Sequence, residues 1–175
     1  DGANNLGTGT VTGGVATLAV TLAVGAHSLT AVYSGDGNDT GSTSGAIGQT
    51  VNKTATSVVL TSSASTGIVG QPVIFTARVT PSSATGSVQF LDGGKSLGAS
   101  ALNGGTATAT ITTLSLGGHS ITAVYSGDAN NAASTSNAFT VNEIVAVTTG
   151  TIRPPIQTVS PINILTNPNL KGEVK

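Results

Sequence analysis

The sequence predicts an all-β protein made of tandem antiparallel β-sandwich modules, the first of them incomplete, followed by an extended C-terminal tail. Three observations lead there. Short runs of alternating apolar and polar residues are separated by turn signals at nearly regular intervals. A long segment of the chain occurs twice. No stretch carries a convincing helical period.

The repeat is clearest at His27 to Asp36, HSLTAVYSGD, which returns as HSITAVYSGD at His119 to Asp128. Working outward, Asp1-Gly2 matches Asp92-Gly93, Leu6-Gly7 matches Leu97-Gly98, and Gly13-Gly14 matches Gly104-Gly105. Ser42-Thr43-Ser44 matches Ser134-Thr135-Ser136, and, with small gaps near Thr113 and Gly48, Thr50-Val51-Asn52 matches Thr140-Val141-Asn142. The organisation that follows is the C-terminal half of one repeat over 1–53, a complete repeat over 54–143, and a tail over 144–175.

Within 54–143 seven strands are expected. The first runs from Ser57 to Thr61, and the second, from Pro72 to Thr80, turns Val73, Phe75, Ala77 and Val79 to one face. A third, Gly86 to Leu91, points Val88 and Phe90 inward and ends at Asp92-Gly93, a hairpin signal because Gly tolerates positive φ. A short fourth strand falls near Ser96. Thr106 to Thr112 alternates Thr with Ala107, Ala109 and Ile111, His119 to Tyr125 presents Ile121, Ala123 and Tyr125, and Phe139 and Val141 belong to the last strand. The expected core is Val73, Phe75, Val88, Phe90, Ile111, Ile121, Tyr125 and Phe139. The half-repeat lacks the counterparts of Ser57 to Leu91, which leaves Ala16, Leu18, Val20, Leu29 and Tyr33 without an opposing sheet.

Composition narrows the function classes. Six basic and seven acidic residues give a net charge of -1, too little field to hold nucleic acid or an anionic membrane. Without Cys there is neither a disulfide nor a thiolate metal site. Neither a membrane-spanning apolar run nor a signal peptide is expected within these residues. The seven carboxylates form no obvious acid–base pair, and no nucleophile elbow or phosphate-binding Gly loop occurs. The Asn-x-Thr triplets at Asn38 and Asn52 are formal glycosylation acceptors of a kind that chance supplies in an Asn- and Thr-rich chain.

The runs TATSVVLTSS (54–63), GQPVIFTARVTPS (70–82), GSVQFLDGGKSLGAS (86–100) and LGGHSITAVYSGDANNAAS (116–134) together resemble the bacterial Ig-like domain repeats of large surface and secreted proteins. The resemblance covers residues 1–143. It implies tandem immunoglobulin-like sandwiches, an extracellular location and service as a spacer, adhesive stalk or structural unit. The missing opening strands of the first module and the tail depart from the family pattern.

His27 and His119 are the only imidazoles, so any general base or His–metal centre would need them. Their recurrence at one position of two modules points instead to a corner side chain that bonds to nearby backbone in each fold. Tyr33 and Tyr125 are in phase with the inward residues of their strand and read as core, in preference to a sugar-stacking platform. Asp36 with Asn38, and Asp128 with Asn130, read as turns held by Asx bonds; weak Ca²⁺ binding there would lack the six to eight oxygens that ion takes. No catalytic residue, cofactor or metal is expected.

Pro154, Pro155, Pro161 and Pro168 exclude a compact tail domain, yet Ile144, Val145, Val147, Ile152, Ile156, Val159, Ile162, Ile164 and Leu165 make it too apolar for an ordinary linker. These residues are the candidate inter-subunit strand: an extended segment that completes the half-module of a neighbouring copy and chains copies head to tail. Expected partners are therefore copies of the chain or further Ig-like repeats, together with a glycan or surface ligand as the alternative. The corresponding alternative function is a carbohydrate- or ligand-binding accessory module of a larger secreted protein.

Overall fold

The computed structural model describes residues 1–147. All its regular elements are strands. The first module contributes β1 (Gly25–Leu29), β2 (Val32–Gly35), β3 (Thr40–Thr43) and β4 (Ile47–Val51). The second contributes β5 (Ser57–Ser62), β6 (Thr66–Ile68), β7 (Val73–Thr80), β8 (Ser87–Asp92), β9 (Lys95–Ala101), β10 (Thr106–Ile111), β11 (Gly117–Tyr125), β12 (Ser134–Thr135) and β13 (Phe139–Ile144).

The second module is a two-sheet sandwich. One sheet has the order β10-β7-β5, and the other β6-β13-β11-β8-β9 with β12 beside β11. Alternation along each strand sends one set of side chains between the sheets. In β7 the buried positions are Val73, Phe75, Ala77 and Val79. Facing them from the other sheet are Val88, Phe90, Ile121, Ala123, Tyr125 and Val141, none with measurable exposure. With few aromatics available, Phe75, Phe90 and Tyr125 supply the bulk, and small Ala77, Ala107 and Ala123 leave the room those rings need. Phe139, expected in the core, is only half-buried and packs at its margin. It begins β13 opposite Ile121, where the strand enters the sheet.

Two elements were not foreseen. The three residues of β6 are too few to show alternation, and the Ser- and Gly-rich run around them reads as loop. Here that run carries the chain from the β5 sheet across to the other, where β6 pairs in parallel with β13 through Thr66–Asn142, Gly67–Glu143 and Ile68–Ile144. The two-residue β12 rests on β11 for the same reason of brevity. The expected hairpin at Asp92-Gly93 forms, with Gly93 and Gly94 at φ of 53° and 92° as a turn matched to strand twist requires.

The first module repeats only part of this plan. Its β1–β4 and β2–β3 pairs correspond to the pairing of β11 with β13 and β12. Leu29 lies opposite Ile47 as Ile121 lies opposite Phe139, and Tyr33 opposite Ser42 as Tyr125 opposite Ser134. Residues 4–20, the counterparts of β9 and β10, form no strand beyond a Thr12–Val15 bridge, which mirrors the Asn103–Thr106 bridge. The reason is the absence of partners: β9 forms against β8 and β10 against β7, and an extended segment without a neighbour has no ladder to join. No residue from 1 to 53 is buried.

The structure also corrects the repeat alignment. Gly25 pairs with Val51 as Gly117 pairs with Glu143, and His27 with Gln49 as His119 with Val141. Val51 is thus the positional equivalent of Glu143 and not of Val141, so the gap near Gly48 disappears.

Candidate functional site: paired corners and an open sheet edge

At the corner of the complete module, β11 follows the turn at Ser115 and Leu116, which brings His119 back over the chain it has just left. Its Nε2 lies 2.8 Å from the Ser115 carbonyl and its Nδ1 2.7 Å from Asp92 Oδ2. Both partners are acceptors, an arrangement that the doubly protonated ring satisfies in full. The Ser115 carbonyl first, and the Asp92 carboxylate next, raise the His119 pKa above its ordinary value. Asp92 closes the corner by accepting the Ser120 N–H at 3.2 Å, while Gly93 N–H donates to the Ser120 carbonyl at 3.0 Å. The first module reproduces this set: His27 Nδ1 to Asp1 Oδ2 at 2.7 Å, Nε2 to the Ala23 carbonyl at 2.8 Å, and Ser28 N–H to Asp1 Oδ1 at 3.2 Å. Both nitrogens of each imidazole are thus engaged within their own module. The carboxylate partner was missed in the sequence, although Asp1 and Asp92 recur together with the histidines and carried the signal.

At the other end of β11, Tyr125 buries its ring and donates its hydroxyl to Asp128 Oδ2 at 3.1 Å. Burial foremost, and that bond second, raise the phenol's pKa. Asp128 also receives Thr85 N–H at 2.8 Å and Thr85 Oγ1 at 3.0 Å, both at Oδ2, and Asn130 N–H at 2.8 Å and Asn131 N–H at 2.7 Å at Oδ1. The Asn131 side-chain amide reaches both oxygens. The Thr85 N–H above all, with the Asn131 amide, holds this carboxyl well below the usual carboxylate range. Its lone pairs are spent on the turn, which leaves little for a cation. Among the described residues no group of three or more His, Asp or Glu side chains is gathered for a metal ion.

The first module's version of this loop is thinner. Asp36 accepts Asn38 N–H at 2.8 Å, Asp39 N–H at 2.9 Å and the Tyr33 hydroxyl at 2.9 Å. The Asn38 and Asp39 amides lower its pKa, and Asp36 in turn raises that of Tyr33. Three donor groups found at Asp128 are missing: among the described residues nothing supplies the Thr85 N–H and hydroxyl, and Asp39 replaces Asn131 with its side-chain amide.

The largest difference between the modules is the sheet edge. In the complete module β11 has β8 on one side and β13 with β12 on the other, whereas among the described residues β1 and β2 each have a single neighbour. Apolar side chains of this module are less covered than in the complete one: Leu18 and Val20 are 49% and 41% exposed, and Leu29 and Tyr33 are half-buried where Ile121 and Tyr125 are fully enclosed.

Of the candidate inter-subunit residues, Ile144 is corrected. It is the last residue of β13, pairs with Ile68, and its carbonyl accepts the Val69 N–H, so it belongs to the complete module's own sheet. Val145 and Val147 follow it and are 58% and 83% exposed. Ile152, Ile156, Val159, Ile162, Ile164 and Leu165 lie outside the described residues.

The family model described as "Bacterial Ig-like domain (group 3)" matches residues 1–52 and 60–142. No curated protein matches the chain. Among solved structures, one titled "Structures of Clostridium thermocellum CbhA fibronectin(III)-like modules" is similar at 19% identity and a TM-score of 0.44, over 52% of this chain and 99% of that one.

Proposed function

Because this chain belongs to the bacterial Ig-like domain (group 3) family, we propose that it is an extracellular, non-enzymatic structural repeat, a stalk or filament unit whose copies join head to tail. The observation that carries this reading is the recurrence of one module in tandem, with the His–Asp corner and the Tyr–Asp loop of each copy closed on its own module. Chemistry is sparse: the recurring polar residues His27, Asp36, His119 and Asp128 are spent on bonds within their own modules. A row of such sandwiches supplies length and stiffness, and a heterologous contact need not close into a ring. Sedimentation velocity and negative-stain electron microscopy of the 175-residue chain over a concentration series test the proposal. Linear assemblies that lengthen with concentration are expected; a single monomeric species at all concentrations, with no filaments, would contradict it.

A further inference from the structure

Resting on the stalk reading and deepening it, we propose that the Asp128 loop of the complete module is the docking surface for the linker of the preceding module, and that Lys53 is the brace of that joint. Between Val51, the last residue of β4, and Thr54, the first residue docked on the second module, stand only Asn52 and Lys53. Among the described residues no strand of the first module pairs with a strand of the second. Two linking residues free in φ and ψ would let the modules swing against each other. Lys53 takes up that freedom. Its Nζ donates to the Asp128 carbonyl at 2.5 Å, and among the described residues this is the one hydrogen bond that joins 1–53 to the chain beyond.

The receiving surface is ordered by bonds of its own. The Asp128 carboxylate gathers the N–H groups of Thr85, Asn130 and Asn131, which fixes the carbonyls of the same loop. Gly127 lets the loop fold this closely: at a φ of 82°, an added Cβ would lie 2.9 Å from the Asn131 carbonyl oxygen. The linker docks on it in chain order. Lys53 takes the Asp128 carbonyl. Thr54 bridges Asn131 in parallel, its N–H donating to the Asn130 carbonyl at 2.8 Å and its carbonyl accepting the Ala132 N–H at 2.8 Å. Half-buried Thr56 donates its hydroxyl to the Ala132 carbonyl at 2.8 Å. The segment this surface fits is therefore extended, with an ammonium followed by hydroxyl side chains, and a charged donor makes the stronger bond to a carbonyl.

The brace belongs to this joint and not to the repeat in general. In the register that equates Val51 with Glu143, the residues Asn52, Lys53 and Thr54 correspond to Ile144, Val145 and Ala146. None of those three side chains can donate a hydrogen bond. The stiffness of the stalk at 52–54 therefore rests on one side chain that the repeat does not supply elsewhere.

Residual dipolar couplings measured by NMR on the full 175-residue chain, in dilute solution, test the brace. With the joint held, the couplings of 25–51 and of 57–143 fit one alignment tensor. Lys53→Met keeps the aliphatic stem and removes the donor; it is expected to shrink the couplings of 25–51 by roughly twofold or more relative to those of 57–143, as independent module motion does. Lys53→Arg keeps a charged donor and is expected to hold the parent's single tensor. Separate tensors in the parent, couplings unchanged in Lys53→Met, or a loss in Lys53→Arg equal to that in Lys53→Met would each overturn the brace. Sedimentation of the same chain reports on the stalk reading separately. A single tensor without head-to-tail assembly would sink the stalk and leave the brace standing, and assembly with separate tensors would do the reverse.

Discussion

Glu143 offers the sharpest test of the packing described above. Its side chain is 98% removed from solvent, at a relative exposure of 2%, and neither carboxylate oxygen has a hydrogen-bond partner. The first module places Val51 at the same register position, opposite Gly25 as Glu143 is opposite Gly117. Glu143→Val removes an unsatisfied buried polar group, a change that returns about 1–3 kcal/mol. Part of this is offset by the shorter reach of Val, which forfeits on the order of 1 kcal/mol of packing. A net gain of up to about 2 kcal/mol corresponds to a rise in Tm of up to roughly 15 °C for a domain of this size. The neighbour across the parallel pairing is Gly67, where an added Cβ would meet Glu143 Oε1 and sit 2.7 Å from Cδ and 2.8 Å from Oε2. Gly67→Ala alone should therefore cost about 1–3 kcal/mol by overpacking, and much less in the Glu143→Val background, giving a coupling above about 0.5 kcal/mol. Urea and thermal melts followed by circular dichroism provide the four stabilities. A Glu143→Val variant less stable than the parent, or a Gly67→Ala cost unchanged by it, would refute the reasoning.

Other perturbations follow from the same structure. Phe90→Ala, at a ring with no exposed surface, should cost about 3–5 kcal/mol in the same melts, and an unchanged midpoint would place Phe90 outside the core. The His119 pKa is raised in the folded protein, so its contribution is fully present below the unfolded value near 6.5 and is lost as pH rises through the folded value; His119→Gln should flatten that part of the stability–pH profile, which titration of the ring by NMR can follow directly. For Asp128 the folded pKa is depressed, so its contribution is present above the ordinary carboxylate range and falls away as the solution is acidified below it. Asp128→Asn should remove that acid-side loss, and should lower the melting point more than Asp36→Asn does, because Asp36 lacks the Thr85 and Asn131 side-chain donors.

Much of the complete module was legible because its strands alternate strictly. Val73, Phe75, Val88, Phe90, Ile121 and Tyr125 fall on one face by parity alone, and a one-residue slip would have exposed all of them. Where parity had too few residues to act on, it failed: β6 and β12 are three and two residues long. The gap near Gly48 was misplaced because Thr-Val-Asn recurs as letters while hydrogen-bond register, which letters do not carry, pairs Val51 as Glu143 is paired. Identity over three residues outweighed a continuous alignment that would have revealed the buried carboxylate. Phe139 was overrated because size suggests core, whereas its position at the start of β13 leaves it on the margin. At the corners, recurrence identified His27 and His119 as structural, but a bond across 26 or 27 positions to Asp1 or Asp92 depends on sheet geometry.

Sedimentation velocity of the 175-residue chain from dilute to concentrated solution tests the central claim, that copies join head to tail, most directly. The fraction sedimenting as assemblies is predicted to rise with concentration, and negative-stain images of the same samples to show linear particles. A single monomeric species at every concentration would contradict it.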